Sequence, residues 1–304
     1  MLYSTRIGGN ILKLALGTVQ FGLNYGISNK EGKTPFEEVV KIIKYAESVG
    51  IKILDTAAAY GESEKVIGEA TKNNDKFKII TKIPPFQSDK ISDKEVQQLE
   101  TTIQNSLNKL KRDKVYGIMF HNVNDLFKEN GERLYYKLIE LKSMNLVEKI
   151  GVSVYDGEEI DRLCELFSFD IIQLPINVLD QRLLKSGHLA KLKEVGVEVY
   201  ARSIFLQGLL LMDLEKVPKY FEPIIPLLRE YHEMLHKNDM TLLDGAIDFV
   251  KSISEIDYLI VGVNNLEQLI EIKKTYEYGK RGKCDYSRFA CTNNKYIDPR
   301  RWKK

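Results

Sequence analysis

LDTAAAYG (54–61) is the stretch that decides the fold, taken together with IITK (79–82) and IMFH (118–121). Each lies at the end of a short apolar run, and there stand Asp55 and Tyr60, then Lys82, then His121. A carboxylate, a phenol, an amine and an imidazole at or just beyond three successive predicted strand ends suggest one convergent site. In a (β/α)8 barrel all strand C-termini open onto one face, which is where such enzymes place their chemistry.

Working outward, short apolar runs alternate with longer amphipathic stretches along most of the chain. Strands are predicted at 14–18, 51–56, 78–82, 115–121, 148–154, 171–176, 197–203 and 258–263. Helical patterns fill the intervals at 35–50, 62–72, 93–111, 132–145, 157–167, 184–196, a double stretch within 221–252, and 266–277, with apolar residues recurring every three or four positions. Pro35 sits at a helix start, where its missing N–H costs nothing. Gly50 and Gly196 follow helices where a left-handed cap is wanted. Eight strand–helix units imply parallel pairing through right-handed crossovers and closure into a barrel. No linker rich in Pro, Gly or Ser divides the chain, so one domain is expected. The first ten or so residues are expected to form a short hairpin under the barrel, and the tail from about Tyr278 to Lys304 a long loop. A doubly wound sheet is the rival, but neither GGN (8–10) nor GTVQFG (17–22) supplies the GxGxxG fingerprint.

The chain's 304 residues fit one large barrel or two ordinary domains, and 43% hydrophobic with 29% charged residues describes a soluble globular protein. A formal net charge of +2 with no long basic run gives no reason to expect nucleic acid, and the pairs Lys41/Lys44 and Lys273/Lys274 read as solvated helix faces. Cys164, Cys284 and Cys291 are too few and scattered for a disulfide framework. There is no signal-peptide pattern, and no apolar run approaches the roughly 20 residues of a membrane span, so a cytoplasmic protein is expected.

A carbonyl reduced by hydride develops negative charge on oxygen, so its site must supply a proton and stabilise an alkoxide. Tyr60 suits the acid, and an ammonium at Lys82 would lower its pKa. Asp55 would pair with Lys82 and hold it charged. His121 can donate to the carbonyl oxygen or share the proton with Tyr60. Taken singly, a Tyr after a strand also reads as packing and an Asp there as a helix cap. His188, His232 and His236 lie in helical stretches and read as surface or structural residues. His232 and His236 are four apart, yet no third ligand is evident, so no metal site is expected.

DTAAAYGESEKVIGEA resembles the aldo-keto reductase signature, and IITK, IMFHN, GVSVY, QLPIN, FLQGLL and VGVNNLEQL follow in that family's order. The resemblance covers roughly residues 10 to 275. It implies an NAD(P)-dependent oxidoreductase on a (β/α)8 barrel, with Asp55, Tyr60, Lys82 and His121 as catalytic tetrad. It also implies that Ser153 and Gln173 hold the nicotinamide carboxamide and that Gly17 and Thr18 pass beneath the ring. Ser203, Phe205, Gln207 and Gly208 would run along the pyrophosphate, and Asn264, Asn265 and Gln268 would meet the adenosine end, where a helix N-terminus favours phosphate. The alternative is that these strings are merely strand-end turns.

Departures from the family pattern are informative. Val154 stands where an Asn is usual, and Arg202 where an aromatic ring often stacks on the nicotinamide. A guanidinium there adds positive charge beside the ring and suggests an anionic substrate, unless Arg202 pairs with an acidic loop residue. No basic residue for a 2′-phosphate is obvious in VGVNNLEQL, and Ile272 replaces a frequent Asn. Family habit nevertheless implies NADP(H), with NAD(H) open.

Phe21, Tyr25 and the tail segment 293–302, with the chain's one Trp, Trp302, beside Arg300 and Arg301, are candidates for the substrate pocket. An aromatic face flanked by guanidinium groups suits a sugar or phosphorylated ligand, while Trp302 equally fits a role pinning the tail. FLQGLLL with the DPRRW tail resembles a bacterial subgroup of surface-sugar or nucleotide-sugar pathways. The expected partner is a small-molecule carbonyl substrate, and the expected assembly a monomer or weak homo-oligomer. Two other function classes fit: a nicotinamide-binding redox sensor or regulatory subunit with little turnover, and an isomerase or lyase using Lys82 as a Schiff-base amine.

Overall fold

The β-forming runs are buried along almost their whole length, as strands with helices packed outside them must be. In the computed structural model, which describes residues 13–72 and 74–302, eight parallel strands close into one barrel in sequence order. They are β1 (Lys13–Gly17), β2 (Ile53–Asp55), β3 (Lys78–Ile83), β4 (Val115–Phe120), β5 (Val147–Ser153), β6 (Ile171–Pro175), β7 (Glu198–Arg202) and β8 (Tyr258–Gly262). Closure is made by β1 against β8, with Gly17 opposite Gly262, while the other edge of β1 places Gly17 opposite Asp55.

The helices are α1 (Val19–Gly22), α2 (Phe36–Ser48), α3 (Ser63–Ala70), α4 (Asp93–Leu110), α5 (Glu132–Ser143), α6 (Gly157–Leu166), α7 (Arg182–Lys185), α8 (His188–Glu194), α9 (Ile225–Lys237), α10 (Leu242–Lys251), α11 (Leu266–Tyr278) and α12 (Asn294–Ile297). Their boundaries follow local chemistry. α4 opens with a capping box between Ser92 and Glu95, and α10 with one between Thr241 and Asp244. Gly50 and Gly196 take φ of 78° and 76° after α2 and α8, as the sequence pattern requires. The single helix expected over 184–196 is instead two, α7 and α8, because Gly187 turns left-handed at φ 80° between them.

Inside the barrel, Ala15, Ile53, Ile80, Met119, Ile171 and Ile260 form one apolar cluster, while a larger one fills the space between strands and helices. At the strand-start end, Glu198 accepts hydrogen bonds from Tyr116 (3.0 Å) and Tyr200 (3.1 Å) and pairs with Lys149 (3.0 Å). The open chemistry is left to the other end.

Two expectations need correction or restriction. The tail is not one long loop: short helical turns at Tyr286–Phe289, α12 and Pro299–Arg301 are started by Asp285, Asn293 and Asp298, whose side chains accept backbone N–H bonds. Turns of three or four residues are too short to show a helical period. The expected N-terminal hairpin lies outside the described residues.

Candidate active site

β2 ends at Asp55, β3 carries Lys82 one residue before its end, and His121 follows β4 directly. The chain leaves β2 through small residues that stay hydrogen-bonded to β3, with Thr56 N–H to Ile80 O (2.8 Å) and Ala58 N–H to Lys82 O (3.1 Å). This turn carries Tyr60 back over the barrel mouth. It is held from the β1 side, where Ser63 Oγ donates to Thr18 O at 2.8 Å. A Cβ added at Gly22 would lie 1.8 Å from Tyr60 O, and Gly61 sits at φ 57° with Gly22 O 2.6 Å from its ideal Cβ. Two glycines thus let the loops after β1 and β2 cross in contact.

Lys82 and Asp55 form a buried ion pair, 1% and 4% exposed. Lys82 Nζ donates to Asp55 Oδ1 (2.7 Å), Asp55 Oδ2 (2.8 Å) and Thr56 O (2.9 Å). Gln173 Nε2 adds a further bond to Asp55 Oδ1 at 2.8 Å. An ammonium with its donors so engaged, on a side chain closed to solvent, offers no lone pair to a carbonyl. That removes the Schiff-base reading. Burial draws the Lys82 pKa down, and the Asp55 charge opposes it.

The Tyr60 ring lies 5.2 Å from Lys82 Nζ and 5.7 Å, edge-on, from the His121 ring. Its hydroxyl is raised above the ordinary phenol range, by burial first and then by the Asp55 carboxylate, with the Arg202 guanidinium pulling the other way. The expected lowering by Lys82 is therefore not what the site shows: that ammonium is bound face to face with a carboxylate. Burial, then the charges of Lys82 and Arg202, push His121 down to about 3. Its imidazole is neutral at ordinary pH and offers one N–H donor.

Asp55, Tyr60 and His121 line a cavity of about 310 Å³ with Tyr25, Ser153, Tyr155, Gln173, Arg202, Ser203, Phe205 and Gln207, while Lys82 lies beneath it. A trough of about 220 Å³ shares Gln20, Tyr25, Phe205, Gln207 and Gly262 with it and continues past Gly208 to Asn264 and Gln268 at the start of α11. The loop after β7 that walls both holds Ser203, Leu206 and Gln207 at φ of 59°, 47° and 55°, a concentration of left-handed backbone found where a site dictates the chain path. Four buried polar atoms without a hydrogen-bond partner lie on residues of this continuous groove: Gln20 Oε1, His121 Nδ1, Arg202 Nε and Asn264 Oδ1. Buried polar groups are normally satisfied, so a groove carrying four such atoms fits an elongated polar ligand of a dinucleotide's kind.

Other predicted residues fall elsewhere. Gly17 and Thr18 underlie the site without lining either cavity, Thr18 donating from Oγ1 to Asp55 O at 2.9 Å. Asn265 caps α11 by accepting the Gln268 N–H at 3.0 Å. Phe21 does not face the pocket, because the α1 turn buries its ring in the core. Trp302 lines neither cavity: its indole donates to Tyr296 O at 3.2 Å and its ring meets Phe221 edge-on, 4.9 Å between centroids. It pins the tail. What reaches the site from the tail is Arg300, whose guanidinium lies 3.4 Å from the centroid of Tyr155 while Arg202 lies 4.1 Å from the same ring. Arg300 is paired with Asp298, whereas Arg202 donates to Val154 O (3.1 Å) and has no ion-pair partner among the described residues. Gln20 and Tyr155 were missed by the sequence reading, and no pattern in their neighbours marks them.

A sequence model of the Aldo/keto reductase family matches residues 13–281. The chain belongs to this family. In fold it is similar to an aldo-keto reductase from Bacillus halodurans solved in holo form, at 16% identity and a TM-score of 0.74, with 95% of each chain covered. It is similar also to the glycerol dehydrogenase of Gluconobacter oxydans, at 20% identity and a TM-score of 0.68, covering 90% of this chain and 89% of that one. No curated protein matches the sequence significantly. Identities this low carry the fold alone. Family membership makes the chain an oxidoreductase of the NAD(P)H-dependent, carbonyl-reducing kind acting on small molecules. No helix among the described residues is long and apolar enough to cross a membrane.

Proposed function

We propose that this aldo-keto reductase reduces an aldehyde or ketone to the alcohol with Tyr60 as the proton donor, and that the carbonyl compound carries an anionic group. A reduced nicotinamide dinucleotide, which the groove residues Ser203, Gln207, Gly208, Asn264 and Gln268 would hold, would supply the hydride. As hydride reaches the carbonyl carbon, the C=O π pair moves onto oxygen and the Tyr60 hydroxyl gives that oxygen its proton. A phenol held above its ordinary pKa is fully protonated at neutral pH and ready to donate. His121, neutral, donates a hydrogen bond to the same oxygen and orients it. Asp55 and Lys82 are positioning residues: the pair sits under the Tyr60 ring and, through Gln173, ties β2, β3 and β6 together.

The observation that carries the reading is the convergence of Tyr60, His121 and the Asp55–Lys82 pair at one cavity with a groove leading away from it. The anionic preference rests on Arg202, the sole cation among the described residues lining the cavity, which no carboxylate neutralises. A phosphorylated or carboxylated sugar, or a sugar nucleotide, has both the carbonyl and the charge.

Tyr60→Phe tests the acid. It should lower kcat by about 10²–10⁴-fold while the Kd for the reduced dinucleotide, read by its fluorescence, stays within about twofold. Undiminished turnover would remove Tyr60 from the role. Tight dinucleotide binding by the unmodified protein, with no consumption across sugar aldehydes, sugar phosphates and simple aldehydes, would identify a sensor instead.

A further inference from the structure

Family habit points to NADP(H), yet the charges along the groove point the other way. We propose that the chain selects the dinucleotide without a 2′-phosphate, NAD(H), because the far end of its groove is built as a neutral-to-acidic surface. The proposal rests on the reductase reading above and deepens it.

From the catalytic cavity the groove runs to the N-terminus of α11, where it is lined by Asn264, Gln268, Glu271 and Ile272. One of these is a carboxylate, and no Lys or Arg lines the trough among the described residues. A helix N-terminus ordinarily compensates by offering free N–H groups and a positive dipole end to phosphate. Here that end is already engaged by the protein. Asn265 Oδ1 takes the Gln268 N–H (3.0 Å), Gln268 Oε1 takes the Asn264 N–H (2.8 Å), and Glu38 Oε1 takes the Leu266 N–H (2.8 Å). Glu38 brings a carboxylate, itself paired with Lys41 at 3.0 Å, so the helix end has its anion and Lys41 its partner.

The neighbouring cations are turned to other work. Lys33 pairs with Glu62 at 2.6 Å and Lys273 with Glu277 at 2.6 Å. Lys273 moreover faces a different cavity, with Lys13 and Tyr258 at the strand-start end of the barrel. Lys30 and Lys274 are exposed and do not line the trough. A 2′-phosphate, carrying nearly two negative charges, would enter this setting with Glu271 beside it and no Lys or Arg among the described residues lining the trough. A ribose diol, by contrast, can donate to a carboxylate and accept from the Asn264 and Gln268 amides. Phosphate pays for its place here only in unfavourable charge.

Isothermal titration of the purified protein with NADH and NADPH, in 20 mM and 500 mM salt, decides the matter. NADH should bind about tenfold or more tightly than NADPH at low salt, and the ratio should shrink at high salt as repulsion is screened. Gln268→Arg and, independently, Asn264→Arg place a cation at the groove's end on exposed or half-exposed positions and should shift the ratio of NADPH to NADH affinity by about tenfold or more toward NADPH. Equal affinities, or a preference for NADPH in the unmodified protein, overturn the proposal while leaving the reductase reading intact. If neither dinucleotide binds, the reductase reading falls and this one with it.

Discussion

Replacing Lys82 by Met shortens the side chain by one atom and removes its charge from a site that is 1% exposed. Asp55 is then left in the barrel with one strong donor, Gln173 Nε2 at 2.8 Å, and Thr56 O loses its partner. Breaking a buried ion pair from one side typically costs about 3–5 kcal/mol, and the surviving Gln173 bond argues for the lower figure, ~3 kcal/mol. Unfolding entropy of ~2.1 cal/mol/K per residue gives ~0.64 kcal/mol/K for a chain of this length, so the melting temperature should fall by ~5 °C. Removing both charges in Asp55→Asn with Lys82→Met should recover much of that, since Asn still accepts from Gln173. The coupling read from the double-mutant cycle should be about 2 kcal/mol. Lys33→Met, which breaks the exposed pair with Glu62, is the control and should leave the melting temperature where it is. A fall of under ~1 °C for Lys82→Met, or additive single and double changes, would mean that the pair is solvated. The pair would then not hold the catalytic face rigid.

Two other perturbations read the site's electrostatics and its loop crossing. Because His121 is pushed down to about 3 in the folded chain and titrates near ~6.5 unfolded, the unfolded state binds more protons below that range, so this group's contribution to stability falls as pH is lowered from about 6.5 toward 3. Between pH 7 and 5 denaturant midpoints should show a loss of about 2 kcal/mol that is absent in His121→Gln, and an equal pH dependence in both proteins would refute the neutral imidazole. Gly22→Ala puts a methyl 1.8 Å from Tyr60 O, so the turn carrying the phenol must move. Turnover should drop by about 10²-fold with a stability cost of about 1–3 kcal/mol, and near-normal kcat would show that the crossing does not set the position of Tyr60.

The barrel was legible because its strands are apolar runs closed by polar residues, and those closings are where the chemistry sits. Asp55, Lys82, His121, Ser153 and Arg202 all stand at or next to strand ends in sequence and in space, and Gln173 two residues before the end of β6. What resisted reading was set by contacts with no sequence period. Phe21 lies in the four-residue turn α1, too short to show which face is buried, and the core takes its ring. Glu38 belongs to α2 yet terminates α11, a pairing 228 residues apart that only closure of β1 on β8 brings about. The unpartnered atoms along the groove are likewise invisible until burial is known.

Arg202 shows how such contacts change the meaning of a residue that was noticed. On a strand end it promises only a cation. In space its guanidinium faces the Tyr155 ring, and the same ring is faced by Arg300, which Asp298 holds with bonds of 3.0 Å to Nε and 2.7 Å to Nη2. Asp298 is 2% exposed and also starts the last turn of the tail, so its geometry is fixed from two directions. The Tyr155 ring thus packs between the tail's Arg300 and the cavity-wall Arg202. Sequence reading offered the segment 293–302 for the pocket, with Trp302 flanked by Arg300 and Arg301, and Trp302 turned out to pin the tail. In the structure the tail acts through Arg300 on Tyr155, the ring against which the cavity-wall Arg202 packs, without itself lining the cavity.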